Sequence, residues 1–263
     1  MLFIAKLAIA PVLVALVSFA ARAWGPTIGG LVMGLPWMTG PVLFLLGLEK
    51  GEAFVAQACI GVLLGVVGIA SYALAYIAVA RWANWPVSLA AASAAYATAG
   101  LATSGFRPSL WLAGGLGAAS LIGAFLVIPR ATATPAPWQL PWWDIPMRML
   151  ATGALVALIT LSADLFGPQF SGIVATYPVI LTVVGAFTHY RWGWLAVTQL
   201  ARGITLSLFS FVAFFLVVGS IVTGRGLVTS YAIAAAVSLA MSGGLIVLNR
   251  WRSRAAGRPG RQG

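Results

Sequence analysis

Apolar residues run along this chain in blocks of about 20, the length that carries an α-helix through a hydrocarbon core about 30 Å thick. Short polar or Gly/Pro-rich breakers separate the blocks. The pattern predicts nine crossings, at 3–24, 28–48, 53–80, 87–104, 109–128, 147–166, 170–190, 194–221 and 228–248. The breakers include Trp24-Gly25-Pro26, the stretch from Glu49 to Glu52, the stretch from Arg81 to Pro86, Gly167-Pro168 and the stretch from Tyr190 to Gly193. Residues 129–146 differ in character: they hold five prolines and no helical period. They read as an extended linker. Trp138, Trp142 and Trp143 suit a headgroup interface.

Composition narrows the class. Of 263 residues 61% are hydrophobic and 7% charged, and mean hydropathy is +1.01. A soluble domain carries about 25% charged residues. The expected fold is therefore all-α, a polytopic integral membrane protein with the lipid bilayer as its first partner.

A shift of 142 residues aligns two stretches without a gap. Lys6 falls on Arg148, and Leu13-Val14-Ala15-Leu16 on Leu155-Val156-Ala157-Leu158. Gly25-Pro26 then meets Gly167-Pro168, Gly30 meets Gly172, Pro36 meets Pro178, Gly51 meets Gly193, Gln57 meets Gln199 and Gly61 meets Gly203. The shared positions are mostly those that shape a backbone. Each copy would hold a helix, a Gly/Pro-broken segment and a long helix. The expected organisation is a first repeat plus two extra helices over 1–128, the linker 129–146, a second repeat plus one extra helix over 147–248, and a basic tail over 249–263. Five crossings precede the second copy. An odd number inverts it, giving repeats related by an axis in the membrane plane, an arrangement recurrent in secondary transporters. Were one run re-entrant, the repeats would be parallel.

Charge placement sets the orientation. The net charge of +11 includes five arginines in the last fourteen residues, Arg250, Arg252, Arg254, Arg258 and Arg261. A basic tail after an apolar helix reads as a cytoplasmic anchor on anionic lipid, not as a nucleic-acid contact. The expected location is a bacterial-type inner membrane, multi-pass, with the C-terminus cytoplasmic. Arg22, Arg81, Arg130, Arg148 and Arg191 then share that side, and Lys6, Lys50, Arg107 and Arg225 the other. Ala21-Arg22-Ala23 resembles a signal-peptide cleavage site, but the same segment recurs inside the chain, so the first helix reads as retained.

Little catalytic chemistry is encoded. One cysteine, Cys59, and one histidine, His189, exclude a disulfide, a thiolate cluster and multi-histidine sites. Four acids, Glu49, Glu52, Asp144 and Asp164, are too few for a carboxylate-rich di-metal site. No nucleotide-binding Gly-Lys-Ser/Thr loop, His-Glu-x-x-His or Ser-His-Asp set occurs. No enzyme, metal or cofactor is expected.

The candidate binding site lies in the Gly-Pro segments. Pro36 and Pro178 cannot donate an i→i−4 bond, so each helix kinks or breaks about ten residues in, near mid-bilayer. Gly30 and Gly172 allow close helix approach. A carbonyl freed at that depth needs a partner from protein, water or ligand. Thr39, Thr176, Tyr177 and Thr182 are polar groups nearby. Gln57 and Gln199 recur as a pair. Arg202, about eight residues into its span, either snorkels to the surface or holds an anionic group. Asp164 and His189 read as interfacial residues. The substrate-binding candidates are therefore Gly30, Pro36, Gln57, Gly172, Thr176, Tyr177, Pro178, Gln199 and Arg202.

Phe170-Ser171-Gly172-Ile173-Val174-Ala175-Thr176-Tyr177-Pro178, continuing to Thr188-His189-Tyr190 and Gly193, resembles the GlpM-like family of small bacterial membrane proteins. That family is short and single-copy, so the resemblance implies a duplicated, enlarged relative. The first copy departs from it, with Leu35 before Pro36 and Gly47 in place of His189. The resemblance implies no substrate. The expected function is a small secondary transporter or permease for a small anionic or polar solute, with its site at the repeat interface. The alternative is a non-catalytic membrane subunit of an envelope-assembly or export complex. A homodimer or another membrane partner stays open.

Overall fold

The computed structural model describes Pro36, residues 39–130, 143–166 and 177–256, and isolated helical positions between 12 and 23. Among these residues every regular element is a helix. They are α1 (Thr39–Lys50), α2 (Glu52–Ala80), α3 (Trp85–Thr103), α4 (Leu110–Val127), α5 (Asp144–Phe166), α6 (Val179–Arg225) and α7 (Leu227–Ala256). Four are long and apolar enough to cross a membrane: α2, α4, α6 and α7 as far as Leu245. α1, at 12 residues, rises only about 18 Å, too short to cross alone.

Local chemistry explains the ends. Asn84 accepts a bond from the Val87 N–H and Ser109 from the Leu112 N–H, each satisfying an orphan donor at a helix start. α5 begins at Asp144 rather than at the expected 147. Pro146 is tolerated in a first turn, and an acid there complements the helix dipole. The runs 170–190 and 194–221 join within α6, which continues to Arg225. Its one non-helical residue is Gly193, at φ 74° and ψ −176°. α7 passes the expected end at 248 and reaches Ala256.

The breaks recur in register. Gly51, between α1 and α2, has φ 86° and ψ 172°, and Gly193 stands 142 residues later in nearly the same conformation. This region of backbone space is open to glycine almost alone. Asn84 precedes α3, and Gly226 (φ 81°) precedes α7, again 142 residues apart. α3 and α7 thus start in register, which corrects the expected count of extra helices. α4 is the single described helix without a counterpart.

Close contacts fix the directions. A Cβ on Gly117 would lie 3.1 Å from the Leu63 carbonyl oxygen, and the far end of α4, at Val127 and Ile128, borders Leu74, Ile77 and Arg81. α4 therefore runs parallel to α2. A Cβ on Gly219 would lie 2.7 Å from Leu110 Cδ1 and 3.0 Å from Cys59 Cβ, both near helix starts. Arg202, at the other end, reaches Phe125 and Ile128. The stretch 194–225 is therefore antiparallel to α2 and α4. The outer faces carry large apolar side chains, among them Trp111, Leu116, Ile122 and Leu126 of α4. Hydroxyls such as Ser88, Thr198, Thr205, Ser207 and Ser210 are buried.

Candidate functional site

α6 starts abruptly at Pro178. Pro178 has φ −79° and ψ 67°, and the Val179 N–H bonds the Tyr177 carbonyl at 2.8 Å. These are the marks of an inverse γ-turn. No side chain caps the new helix. Its first-turn N–H groups and the positive end of its dipole therefore open toward the interior. The start lies beside Tyr72, eight residues or about 12 Å from the end of α2.

Around this restart four of the six tyrosines converge. Tyr72 and Tyr76, one turn apart on α2, stack with ring centroids at 6.2 Å. Tyr177 sets its ring edge-on to Tyr72 at 6.1 Å and to Tyr96 of α3 at 5.4 Å. Its hydroxyl lies 2.7 Å from Ser93 Oγ. Tyr72 Oη lies 3.0 Å from Thr182 Oγ1, and Tyr76 Oη lies 3.3 Å from His189 Nδ1. Tyr72, Tyr76, Tyr96, Thr182 and His189 are all buried. The cluster offers hydroxyls that donate or accept and one imidazole, with no formal charge. It suits a small polar group better than a bare ion.

The equivalent place in the first copy has the same shape and none of this chemistry. Under the 142-residue shift Tyr72 becomes Phe214, Tyr76 becomes Val218, Ser93 becomes Ala235, Thr182 becomes Gly40 and His189 becomes Gly47. The contact between Tyr72 and Thr182 becomes one between Phe214 and Gly40, and that contact exists: a Cβ on Gly40 would meet Phe214 Cζ at 3.6 Å. α1 starts just after Pro36, whose carbonyl accepts from the Gly40 N–H at 3.0 Å. The two short helix starts are thus held by matching contacts, and the polar cluster surrounds only the one at Pro178.

Of the sequence candidates, Tyr177 and Pro178 stand in this cluster, and Pro36 stands at the matching start. Gly30, Gly172 and Thr176 lie outside the described residues, as do Gly25-Pro26 and Gly167-Pro168. Gln57 is exposed on the first turns of α2, and Gln199 is half-buried on α6. Arg202 is engaged elsewhere. Its Nη1 donates to the carbonyls of Phe125, at 3.2 Å, and Ile128, and its guanidinium stacks on the Phe125 ring at 4.2 Å. It caps the C-terminal end of α4, where a cation also complements the dipole. An open cleft of about 260 Å³ lies alongside, bordered by Ile77, Arg81, Trp82 and Pro129.

Sequence reading missed Tyr72, Tyr76, Ser93 and Tyr96. Its interfacial placement of His189 is corrected, because the ring is buried against Tyr76. The available signal was two tyrosines spaced i, i+4 inside an otherwise apolar run, which puts two hydroxyls on one buried face. Among the described residues no group of His, Cys, Asp and Glu is placed to hold a metal ion. No protein-family model, curated protein or solved structure matches the chain.

Proposed function

We propose that the protein is a small secondary transporter or permease, built from two inverted copies of one broken-helix unit and binding a small polar solute at the Pro178 cluster. One observation carries the reading. Two short helices begin in the interior, at Pro36 and Pro178, and run to opposite ends of two antiparallel long helices. Interrupted helices whose N-termini meet inside a bundle are the recurring device by which transporters hold a solute at mid-membrane. The nine crossings expected from the sequence fit this scheme. The short helices then form the second halves of the two broken crossings.

In this reading Tyr177, Ser93 and Thr182 hydroxyls hydrogen-bond the solute beside the uncapped first turn of α6. Rocking of one repeat against the other exposes the cluster to each side in turn. The basic ends at Arg81, Arg130 and Arg191, with the C-terminal tail, face the cytoplasm of a bacterial-type inner membrane.

The test is flux in proteoliposomes over a panel of amino acids, sugars and monocarboxylates. Uptake of one solute, abolished in Pro178→Ala and reduced in Tyr177→Phe, is the expected result. Absence of flux for the whole panel, with a fixed partner co-purifying at constant ratio, would replace transport with the subunit reading.

A further inference from the structure

A second cluster, at the start of α5, carries charge. Asp144 and Arg148 are both buried and joined by a bond of 2.7 Å from Arg148 Nε to Asp144 Oδ2. Arg191 of α6 approaches the other oxygen, with Nε at 3.9 Å from Oδ1. Two arginines, which stay charged at any working pH, therefore share one carboxylate. The local balance is one surplus positive charge.

The chain has no acid to neutralise it. Glu49 and Glu52 lie at the opposite ends of the helices, beside Gly51. Asp164 is 20 residues further along α5, about 30 Å away by helical rise. Two buried donors also lack an acceptor, Arg148 Nη2 and Thr188 Oγ1. Arg148 lies over the rings of Phe187, at 5.0 Å, and Trp192, at 5.9 Å. At about 100° per residue, the arc of α6 between those two side chains includes Thr188 and Arg191. The unpartnered donors and both guanidinium groups thus occupy one face. Arg191 is partly exposed and stacks on Trp143 at 4.8 Å, so the cluster opens to the surface there.

We propose that Arg148, Arg191 and Thr188 form a binding site for one singly charged oxyanion, with Asp144 holding the two guanidinium groups in position. A buried guanidinium with an idle N–H is costly, and a carboxylate or phosphate oxygen satisfies it through a charge-assisted bond. The aromatic walls favour an oxyanion attached to an organic group. Two sources share that chemistry, a soluble monocarboxylate and the phosphate of an anionic lipid. The site does not depend on the transport reading, because binding is measured without flux.

The experiment uses the detergent-purified full chain. Equilibrium binding of radiolabelled benzoate tests the soluble source. Native mass spectrometry with added phosphatidylglycerol tests the lipid. Saturable binding in either arm is expected, weakened about tenfold by Arg191→Gln, which removes one charge-assisted donor at a partly exposed position. Asp144→Asn, checked for folding by size-exclusion chromatography, is expected to bind the same probe at least as tightly, since it removes the competing internal carboxylate. Absence of saturable binding in both arms would overturn the site. So would an affinity unchanged by Arg191→Gln.

Discussion

The three glycines with positive φ allow a sharp test of how the helices are joined. Gly51 and Gly193 have open space where a Cβ would go, with no atom within 4 Å. Substitution by alanine there meets no steric obstacle from neighbours, and its cost is the backbone's alone. A side chain at φ 86° or 74° with ψ near 180° is strained by about 1–3 kcal/mol. Gly61, Gly115 and Gly123 also have open space around them, but they sit within helices. There alanine should stabilise by about 0.5–1 kcal/mol, because it loses less freedom on folding. The two sets should therefore move in opposite directions and differ by about 1.5–4 kcal/mol. Reversible unfolding in mixed micelles, followed by tryptophan fluorescence, reads both. If Gly51→Ala and Gly193→Ala group with Gly61→Ala, the proposed helix joints are wrong.

Further expectations follow from single contacts. Tyr72→Phe leaves the Thr182 hydroxyl buried without its partner and should cost about 1–3 kcal/mol. The double variant Tyr72→Phe, Thr182→Val should recover part of that loss, and a double-mutant cycle in the same unfolding assay measures it. Arg202→Met removes the donors to Phe125 and Ile128 and should destabilise by about 1.5–3 kcal/mol. Arg202→Lys should not restore stability, since an ammonium lacks the planar fork that stacks on Phe125. For the inverted arrangement, Lys50→Cys and Tyr190→Cys, in a Cys59→Ala background, should react with an impermeant thiol reagent from opposite sides of sealed vesicles. Reaction from the same side would refute the inversion.

The sequence made much of the helical frame legible, and for definite reasons. Proline and glycine act locally, so Pro178 and the pair Gly51 and Gly193 could be read as breaks before any packing was known. The long apolar run at 53–80 became α2 with its boundary displaced by one residue. The equivalence of Asn84 and Gly226 was hidden, because two different residues serve one joint and identity had faded there. The polar cluster was harder to foresee. Tyr72 and Thr182 are 110 positions apart, and His189 and Tyr76 are 113 apart. Such partners are chosen by helix packing, which composition does not encode. Arg202 shows the same limit, since its acceptors are the carbonyls of another helix's last turn.

The joints at Gly51, Gly193 and Gly226 are each a single residue long. A linkage so short has no slack. Any tilt of one rod is passed to the next as torque, without being absorbed in a loop. The α1–α2 and α6 pairs therefore behave as bent levers rather than as beads on a string. A protease, which must thread several extended residues through its cleft, finds no foothold at these elbows.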